Sequence, residues 1–379
     1  MSENSQFLKE IIVERIESAL HQRISFAEYM DLVLYHPHYG YYASGAVQIG
    51  TQGDFFTSSS LGPDFAQLLA EQFVEMWQAL SRPEPFTLIE MGAGSGLGAA
   101  DILQYLQRYP ELLKVLQYTI VESSPALIVQ QQQVLKNFAV SWKTWSEIAD
   151  DSIVGCCFSN ELVDAFPVHR VIKGPQLEEI YVTTSPTGFR EVKGKPSTPR
   201  LATYFELVGI DILSSRYPNG YRTEVNLAAL DWLAAVAKKL ARGYLLTIDY
   251  GYTAERYYSP QRDQGTLQCY TQHRRHNNPY VNLGTQDITA HVDFTALERQ
   301  GERYGFTTVG STKQGLFLMA LGLGDRLAEL ASNRYSVSEI FQRRDALHQL
   351  IDPSGLGGFG VLIQSRGLSE HQLRGLTMP

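Results

Sequence analysis

The sequence predicts an α/β protein built on a mostly parallel sheet with helices on both faces, and three observations predict it. Phe86-Thr-Leu-Ile-Glu90-Met91 is a short apolar run that enters a glycine turn, Gly92-Ala93-Gly94-Ser95-Gly96, and Leu97 to Leu106 follows at helical spacing. A second run, Tyr118-Thr-Ile-Val121, ends like the first in an acid, Glu122, and leads to Ser123-Ser124-Pro125, where Ser124 caps a helix that Pro125 begins. Short apolar runs then go on alternating with helical stretches to the far end of the chain, the pattern of βαβ units.

Element by element, Met1 to Phe26 sets Phe7, Ile11, Ile12, Ile16 and Leu20 at helical spacing among acids and bases. That is an amphipathic helix rather than a signal or transit peptide, so a cytoplasmic home is expected. The helix after the second strand spans Ile128 to Phe138, a third strand Val140 to Trp145, and a fourth Ile153 to Phe158. From Lys173 to Asn226 the rhythm breaks: Gly174-Pro175, Ser185-Pro186 and Pro196 through Pro199 punctuate alternating segments, which reads as a β-rich insertion. The core resumes at Leu227 with a helix face of Leu230, Leu233, Ala234, Ala237 and Leu240, ended by Gly243, and Tyr244 to Gly251 is a fifth strand. A second insertion covers Tyr252 to Ala290. Helix Phe294 to Tyr304, strand Phe306 to Ser311, a helical stretch around Leu327 to Leu350 and strand Phe359 to Gln364 complete seven strands. The expected division is an N-terminal helical segment and lid (1–85), a core (86–172, 226–251, 291–379) and two insertions (173–225, 252–290).

Composition narrows the function classes. The 379 residues are 44% hydrophobic, enough for a sizeable core, and no run reads as a membrane span. Cys156, Cys157 and Cys269 are too few and too poorly spaced for a disulfide framework or a zinc site, and no metal is expected. A net charge of −8 argues against nucleic-acid binding; the local basic cluster at Arg274, Arg275 and His276 reads equally as a solvated loop.

The acid-tipped strands carry the chemistry. A dinucleotide presents its pyrophosphate to the glycine loop, where a carboxylate such as Glu90 is unfavourable, whereas S-adenosylmethionine brings a sulfonium and an ammonium that an acid attracts. Glu122, after the second strand, sits where a ribose-binding acid belongs. The fourth strand runs into Ser159-Asn160-Glu161-Leu162-Val163-Asp164, which places Asn160, Glu161 and Asp164 beyond a strand's carboxyl end, beside the cofactor. The competing reading makes Asn160 a helix cap and the acids surface residues. Methyl transfer needs alignment more than strong acid or base. If the acceptor is an arginine, paired carboxylates orient its guanidinium. His291 is expected as a wall or structural residue and Asp293 as a helix cap.

Together, Glu90-Met-Gly-Ala-Gly-Ser-Gly96, Glu122-Ser-Ser-Pro125, Ser159 to Pro167 and Ile248-Asp-Tyr-Gly251 resemble the MidA family of S-adenosylmethionine-dependent methyltransferases, whose mitochondrial members are arginine methyltransferases needed for assembly of respiratory complex I. Upstream, His36 to Tyr42 and Gly53-Asp54-Phe55-Phe56-Thr57-Ser58 resemble the family's N-terminal signatures; downstream, Gly265-Thr266-Leu267, Thr289 to Phe294 and Gln314-Gly315 do too. The chain departs from the pattern at Ser59-Ser60, at Ala93 and Ser95, and at Leu162 and Val163, where an aromatic pair is usual.

The resemblance implies a class I methyltransferase core, Rossmann-like and seven-stranded, with S-adenosyl-L-methionine as cofactor and a protein substrate. The cofactor-binding set expected is Glu90, Gly92, Ala93, Gly94, Gly96, Glu122, Ser123 and Asn160, joined by Tyr39, Gly53 and Thr57; the catalytic set is Asn160, Glu161, Asp164 and Asp54. The function expected is methylation of an arginine on a subunit of an NADH-dehydrogenase-like complex. The alternatives are a catalytically silent assembly factor and an NAD-linked oxidoreductase. The tyrosines around Tyr257-Tyr258 and Tyr270 read either as a homodimer or client interface or as packing on the sheet.

Overall fold

Seven strands form the central sheet of the computed structural model, which describes residues 3–43, 58–271, 274–331, 336–368 and 371–378. They are β1 (Phe86–Met91), β2 (Leu116–Val121), β3 (Val140–Lys143), β4 (Ile153–Asn160), β5 (Leu240–Asp249), β6 (Thr307–Lys313) and β7 (Gly360–Arg366). Their order across the sheet is β6-β7-β5-β4-β1-β2-β3. β4 is parallel to β1 and β5, and β2 is parallel to β1 and β3. β7 alone runs antiparallel to its neighbours, β5 and β6. The expected doubly wound, mostly parallel sheet is the one observed.

Alternation along each strand sorts side chains onto two faces. Leu88, Cys156, Leu246 and Val361 meet the helices Asp64–Ala79 and Leu97–Leu106, which bury Phe65, Leu69, Phe73, Ile102 and Leu106. Their neighbours Ile89, Cys157, Leu245 and Leu362 face the other way, onto helices Leu227–Lys239 and Phe294–Arg303 through Trp232, Leu233 and Leu297. Each such side chain taken fully out of water contributes about 1.5–3 kcal/mol, so the double layer is the main source of stability.

Gly243, expected to stop a helix, lies inside β5 instead. It is in register with Gly155 of β4, and a Cβ there would stand 1.8 Å from the Gly155 carbonyl oxygen. Its small size serves the approach of two strands, which a helical apolar pattern cannot reveal.

The N-terminal segment and the stretches 169–225 and 268–289 build further layers beside the central sheet. Strands His169–Lys173, Leu177–Ser185, Gly188–Gly194 and Arg222–Val225 build an antiparallel sheet, and the N-terminal pair Ile24–Ser25 joins it, Ile24 opposite Val182. Helix Arg200–Val208 interrupts this β-rich stretch. Strands Gln268–Thr271, Arg274–His276 and Asp287–Thr289 make a smaller sheet. Helices Glu3–Ser18 and Phe26–Tyr35 pack Leu8, Ile12, Ile16 and Tyr29 against Val182, Cys269 and Ile288, tying the start of the chain to both insertions. Tyr257 and Tyr258 are buried among Tyr204, Phe205 and Tyr221, so of the two readings they take the packing one and offer no interface. Among the described residues, no helix is long and apolar enough to cross a membrane.

Candidate active site

The strand order reverses between β1 and β4, and a cavity of about 770 Å3 opens beyond their carboxyl ends, where such sheets bind ligands. Its floor is the glycine turn. Gly92, Gly94 and Gly96 all have left-handed φ (72°, 53° and 83°), which other residues adopt only with strain. At Gly92 a Cβ would also come within 2.8 Å of Leu162 Cδ1. Helix Leu97–Leu106 starts from Gly96 with no side-chain cap, leaving its first N–H groups and positive dipole end beside the loop.

The charges along this wall are of one sign. Asp31, Glu90, Glu122 and Glu161 line the cavity, and among the described residues no Lys or Arg does. Such a lining suits a cationic ligand and opposes a pyrophosphate, which removes the footing of the dinucleotide alternative. Burial pushes Glu90 up to about 7, against the hydrogen bond that the Tyr118 hydroxyl donates to its Oε2 (2.6 Å). Glu122 Oε1 accepts the backbone N–H groups of Ser123 (2.8 Å) and Ser124 (2.9 Å), and burial raises its pKa as well. Gln131, fully buried, donates to Glu122 Oε2 (3.2 Å) and to the Gly94 carbonyl (2.9 Å), and accepts from the Trp142 indole (2.9 Å). One amide thus fixes the second acid relative to the loop. Thr144 and Trp145, just past β3, supply a hydroxyl and a flat ring beside them.

The segment after β4 turns back on itself. Glu161 has φ 53°, a left-handed conformation that a non-glycine residue keeps only when its surroundings impose it. Here they do: the Glu161 N–H donates to the Ile248 carbonyl (2.9 Å), and Glu161 Oε1 accepts from the Ser58 N–H (3.0 Å) and Asn160 Nδ2 (3.1 Å). Burial, with a smaller push from Asp164, raises Glu161 to about 8. Burial raises Asp164 to about 6, although the Tyr250 hydroxyl donates to its Oδ2 (2.6 Å). Beneath them Asp249, at the end of β5, accepts the N–H groups of Val163 (2.9 Å) and Asp164 (3.3 Å) on Oδ2 and that of Tyr250 (2.9 Å) on Oδ1. Burial first, then the charges of Asp164 and Glu161, holds Asp249 well above the carboxylate range.

A second cavity, of about 1200 Å3, meets the first here. Among the described residues the two share Glu161 and Tyr42 in their linings. Asp164, Tyr250, Tyr252, His291 and Phe359 line the second one near that junction. His291 stacks on Tyr252 (5.1 Å) and meets Tyr250 edge-on (5.1 Å), and burial, with Arg262 nearby, lowers it to about 4, so its imidazole is neutral. Asp293 caps helix Phe294–Arg303 through the Ala296 N–H (3.2 Å).

Of the expected cofactor set, Glu90, Gly92, Ala93, Gly94, Glu122, Ser123 and Asn160 line the first cavity. Gly96 does not; it starts the helix and packs against Gln131. Tyr39 lines neither cavity among the described residues: its ring stacks on Phe7 (5.7 Å) and His36 (5.2 Å), and Tyr42 is the tyrosine of that run that lines both. Gly53, Asp54 and Thr57 lie outside the described residues. Asn160 is no helix cap, since its amide faces Glu161 at the end of β4 and its buried Oδ1 is without a hydrogen-bond partner among the described residues. Sequence reasoning did not name Asp31, Gln131 or Trp145, and it carried Tyr42, Asp249 and Tyr250 only inside motifs, with no place of their own in the expected site sets.

Comparison with known proteins agrees with this geometry. Residues 68–312 match the family model described as "Putative S-adenosyl-L-methionine-dependent methyltransferase". The chain is 29% identical over 368 residues to the protein arginine methyltransferase NDUFAF7 homolog, mitochondrial, of Drosophila melanogaster, covering 88% of this chain and 79% of that one. It is 27% identical over 361 residues to human protein arginine methyltransferase NDUFAF7, mitochondrial, covering 88% and 78%. A crystal structure from Burkholderia thailandensis bound to S-adenosyl-homocysteine superposes with a TM-score of 0.87 at 33% identity, covering 98% of this chain and 95% of that one. The expected cytoplasmic home is overturned: the curated relatives are named as mitochondrial. An amphipathic start was a weak guide to compartment, because helices that pack on a domain and helices that target an organelle share that pattern.

Proposed function

The chain belongs to the family of S-adenosyl-L-methionine-dependent methyltransferases, and from that premise we propose that it methylates an arginine side chain of a partner protein, a subunit of an NADH-dehydrogenase-like complex. The observation that carries the reading is the position of Glu161, whose carboxyl group stands in the wall common to an acid-lined cofactor cavity and a second, aromatic-lined cavity. The names of the curated relatives support arginine as acceptor. The respiratory subunit follows from the MidA resemblance.

The cofactor supplies an electrophilic methyl group on a sulfonium centre. When it is bound, Glu122 would hold the ribose hydroxyls, Trp145 would face the base, and Glu90 with the loop from Gly92 to Ser95 would hold the amino-acid end, all of them lining the first cavity. On the acceptor side, a guanidinium entering the second cavity meets Glu161 and Asp164 with the rings of Tyr42 and Tyr250 about it. Carboxylates bind its planar N–H edge and aromatic faces attract its charge, a pairing that suits guanidinium better than ammonium. Glu161 would orient the attacking nitrogen and take the proton it loses, as the methyl group passes to nitrogen and its bond to sulfur breaks with the electron pair left on the departing thioether. A carboxylate already raised to about 8 by burial is a stronger proton acceptor than a solvated one. Asp249 holds the turn that carries Asp164, so it positions without touching substrate.

The test is transfer to a client protein, read by intact mass and then by localisation of the added mass to arginine. Wild-type protein with the cofactor should add mass in steps of one methyl group, and Glu161→Gln should bind S-adenosyl-homocysteine yet add none. A client that stays bound without gaining mass would identify a silent assembly factor instead.

A further inference from the structure

The acceptor cavity changes sign along its length. Its buried lining carries Asp164 and Asp287, with Glu161 at the junction, while its exposed and half-exposed lining carries Arg256, Arg262, Arg275 and Lys313. Among the described residues none of these four cations has an ion pair, in a chain of net charge −8. Two of them are gathered at one place: the guanidinium carbons of Arg256 and Arg262 both stand 4.5 Å from the centre of the Tyr252 ring. Arg262 Nη1 donates to the Arg256 carbonyl (2.7 Å) and the Tyr257 carbonyl (3.1 Å), so two carbonyl oxygens and the Tyr252 ring hold the pair in place, and no carboxylate among the described residues pairs with either charge. The consequences reach neighbouring groups. Burial and then Arg256 lower Lys313, while Arg262 and Arg275 add to the burial that lowers His291. At the inner end, Asp164 is buried and lines the cavity, yet its Oδ1 has no hydrogen-bond partner among the described residues.

We infer that the mouth of this cavity docks an acidic peptide segment, with carboxylates flanking the target arginine engaging Arg256, Arg262, Arg275 and Lys313 while the arginine passes between them to the acids inside. The inference rests on the protein-arginine reading above and adds the class of sequence the site selects. A lone guanidinium would be repelled by this mouth; one escorted by carboxylates neutralises it. Neutral and basic partners are thereby rejected at the entrance, before any contact with Glu161.

The test uses the full chain saturated with S-adenosyl-homocysteine and short labelled peptides in which a central arginine is flanked by glutamates, glutamines or lysines. Fluorescence anisotropy should rank glutamate over glutamine by about tenfold, with lysine weakest, and added salt should shrink the gap. The triple variant Arg256→Gln, Arg275→Gln, Lys313→Gln should lose the preference while still binding S-adenosyl-homocysteine, which reports that it is folded. Arg275→Glu alone, on an exposed strand position, should weaken the glutamate peptide and strengthen the lysine one. Equal affinity for glutamate and glutamine peptides, or a preference that survives the triple variant, overturns the inference. Mass spectrometry with S-adenosyl-L-methionine separates this from the underlying reading. Methylation regardless of flanks sinks the docking inference alone, whereas acidic peptides that bind through the four cations without methylation sink the arginine reading alone.

Discussion

The two cavities that meet at Glu161 differ in the charge they present. The first cavity includes two short runs of consecutive residues, Glu90 to Ser95 and Glu122 to Pro125, at neighbouring strand ends, and among the described residues its charged lining is all acidic. The second cavity, lined by Tyr42, Asp164, Tyr250, Arg275, His291, Lys313 and Phe359 among others, mixes acids with bases. An all-acidic lining selects a ligand by its positive charge alone, whereas a mixed lining selects by where the charges lie along the ligand.

Each half of that contrast can be broken separately. The largest effect is expected at the shared wall: Glu161→Gln should lower kcat by about 100-fold or more while the Kd for S-adenosyl-homocysteine moves only a few-fold, measured by single-turnover assay and calorimetry. Comparable losses in both quantities would mean that Glu161 belongs to the cofactor side alone. Next comes Glu122→Ala, which removes a charged acceptor from the cofactor cavity. It should raise that Kd by about 30–100-fold and leave kcat at saturating cofactor nearly intact. An unchanged Kd would remove Glu122 from the site.

Smaller effects follow from the raised carboxylates. Burial lifts Glu161 to about 8, so it is protonated below that pH and ionised above it, and kcat/KM should climb as pH rises through about 8. Glu90, lifted to about 7, must ionise to attract a cationic ligand, so affinity for S-adenosyl-L-methionine should rise through about 7, by up to about tenfold; a flat profile is expected in Glu90→Gln. A wild-type profile already flat would count against Glu90 as a cofactor group.

The smallest effect is on stability. A folded-state pKa raised above the unfolded value means that the native chain binds more protons between the two, so stability falls as pH rises from about 5 to about 8. Glu161→Gln should therefore stabilise the ligand-free protein at pH 8 by about 1–2 kcal/mol, read by urea titration, with little change at pH 5. Loss of stability at pH 8 would show that the hydrogen bonds from Ser58 and Asn160 outweigh the burial of charge.

Legibility in the sequence follows the same division. β1, its glycine turn and Glu122 were readable because strand, loop and cap are adjacent in the chain and each has a local signature. Gly243 misled because a glycine after an apolar helical face reads as a helix stop, while its actual partner is a carbonyl on another strand. Among Tyr39, Tyr41 and Tyr42 nothing local says which ring faces the cavities; the hydrogen bond from Tyr42 to Asp287 Oδ1 (2.8 Å) and that from Ser124 Oγ to the Tyr42 carbonyl (2.9 Å) decide it. Asp249 acts through N–H groups of Val163 and Asp164, a contact that exists only once β4 and β5 are side by side. Arg256, Arg262 and Lys313 look like ordinary surface charges until the fold sets them on one cavity wall.

Because Glu161 and Tyr42 line both cavities, a single small molecule that reaches past them would occupy both. An adenosine joined by a short alkyl tether to a guanidine would place each half in its own chamber, and the second half would bind as if at millimolar local concentration. Such a chimera should bind far more tightly than either fragment alone, and its affinity should depend sharply on tether length.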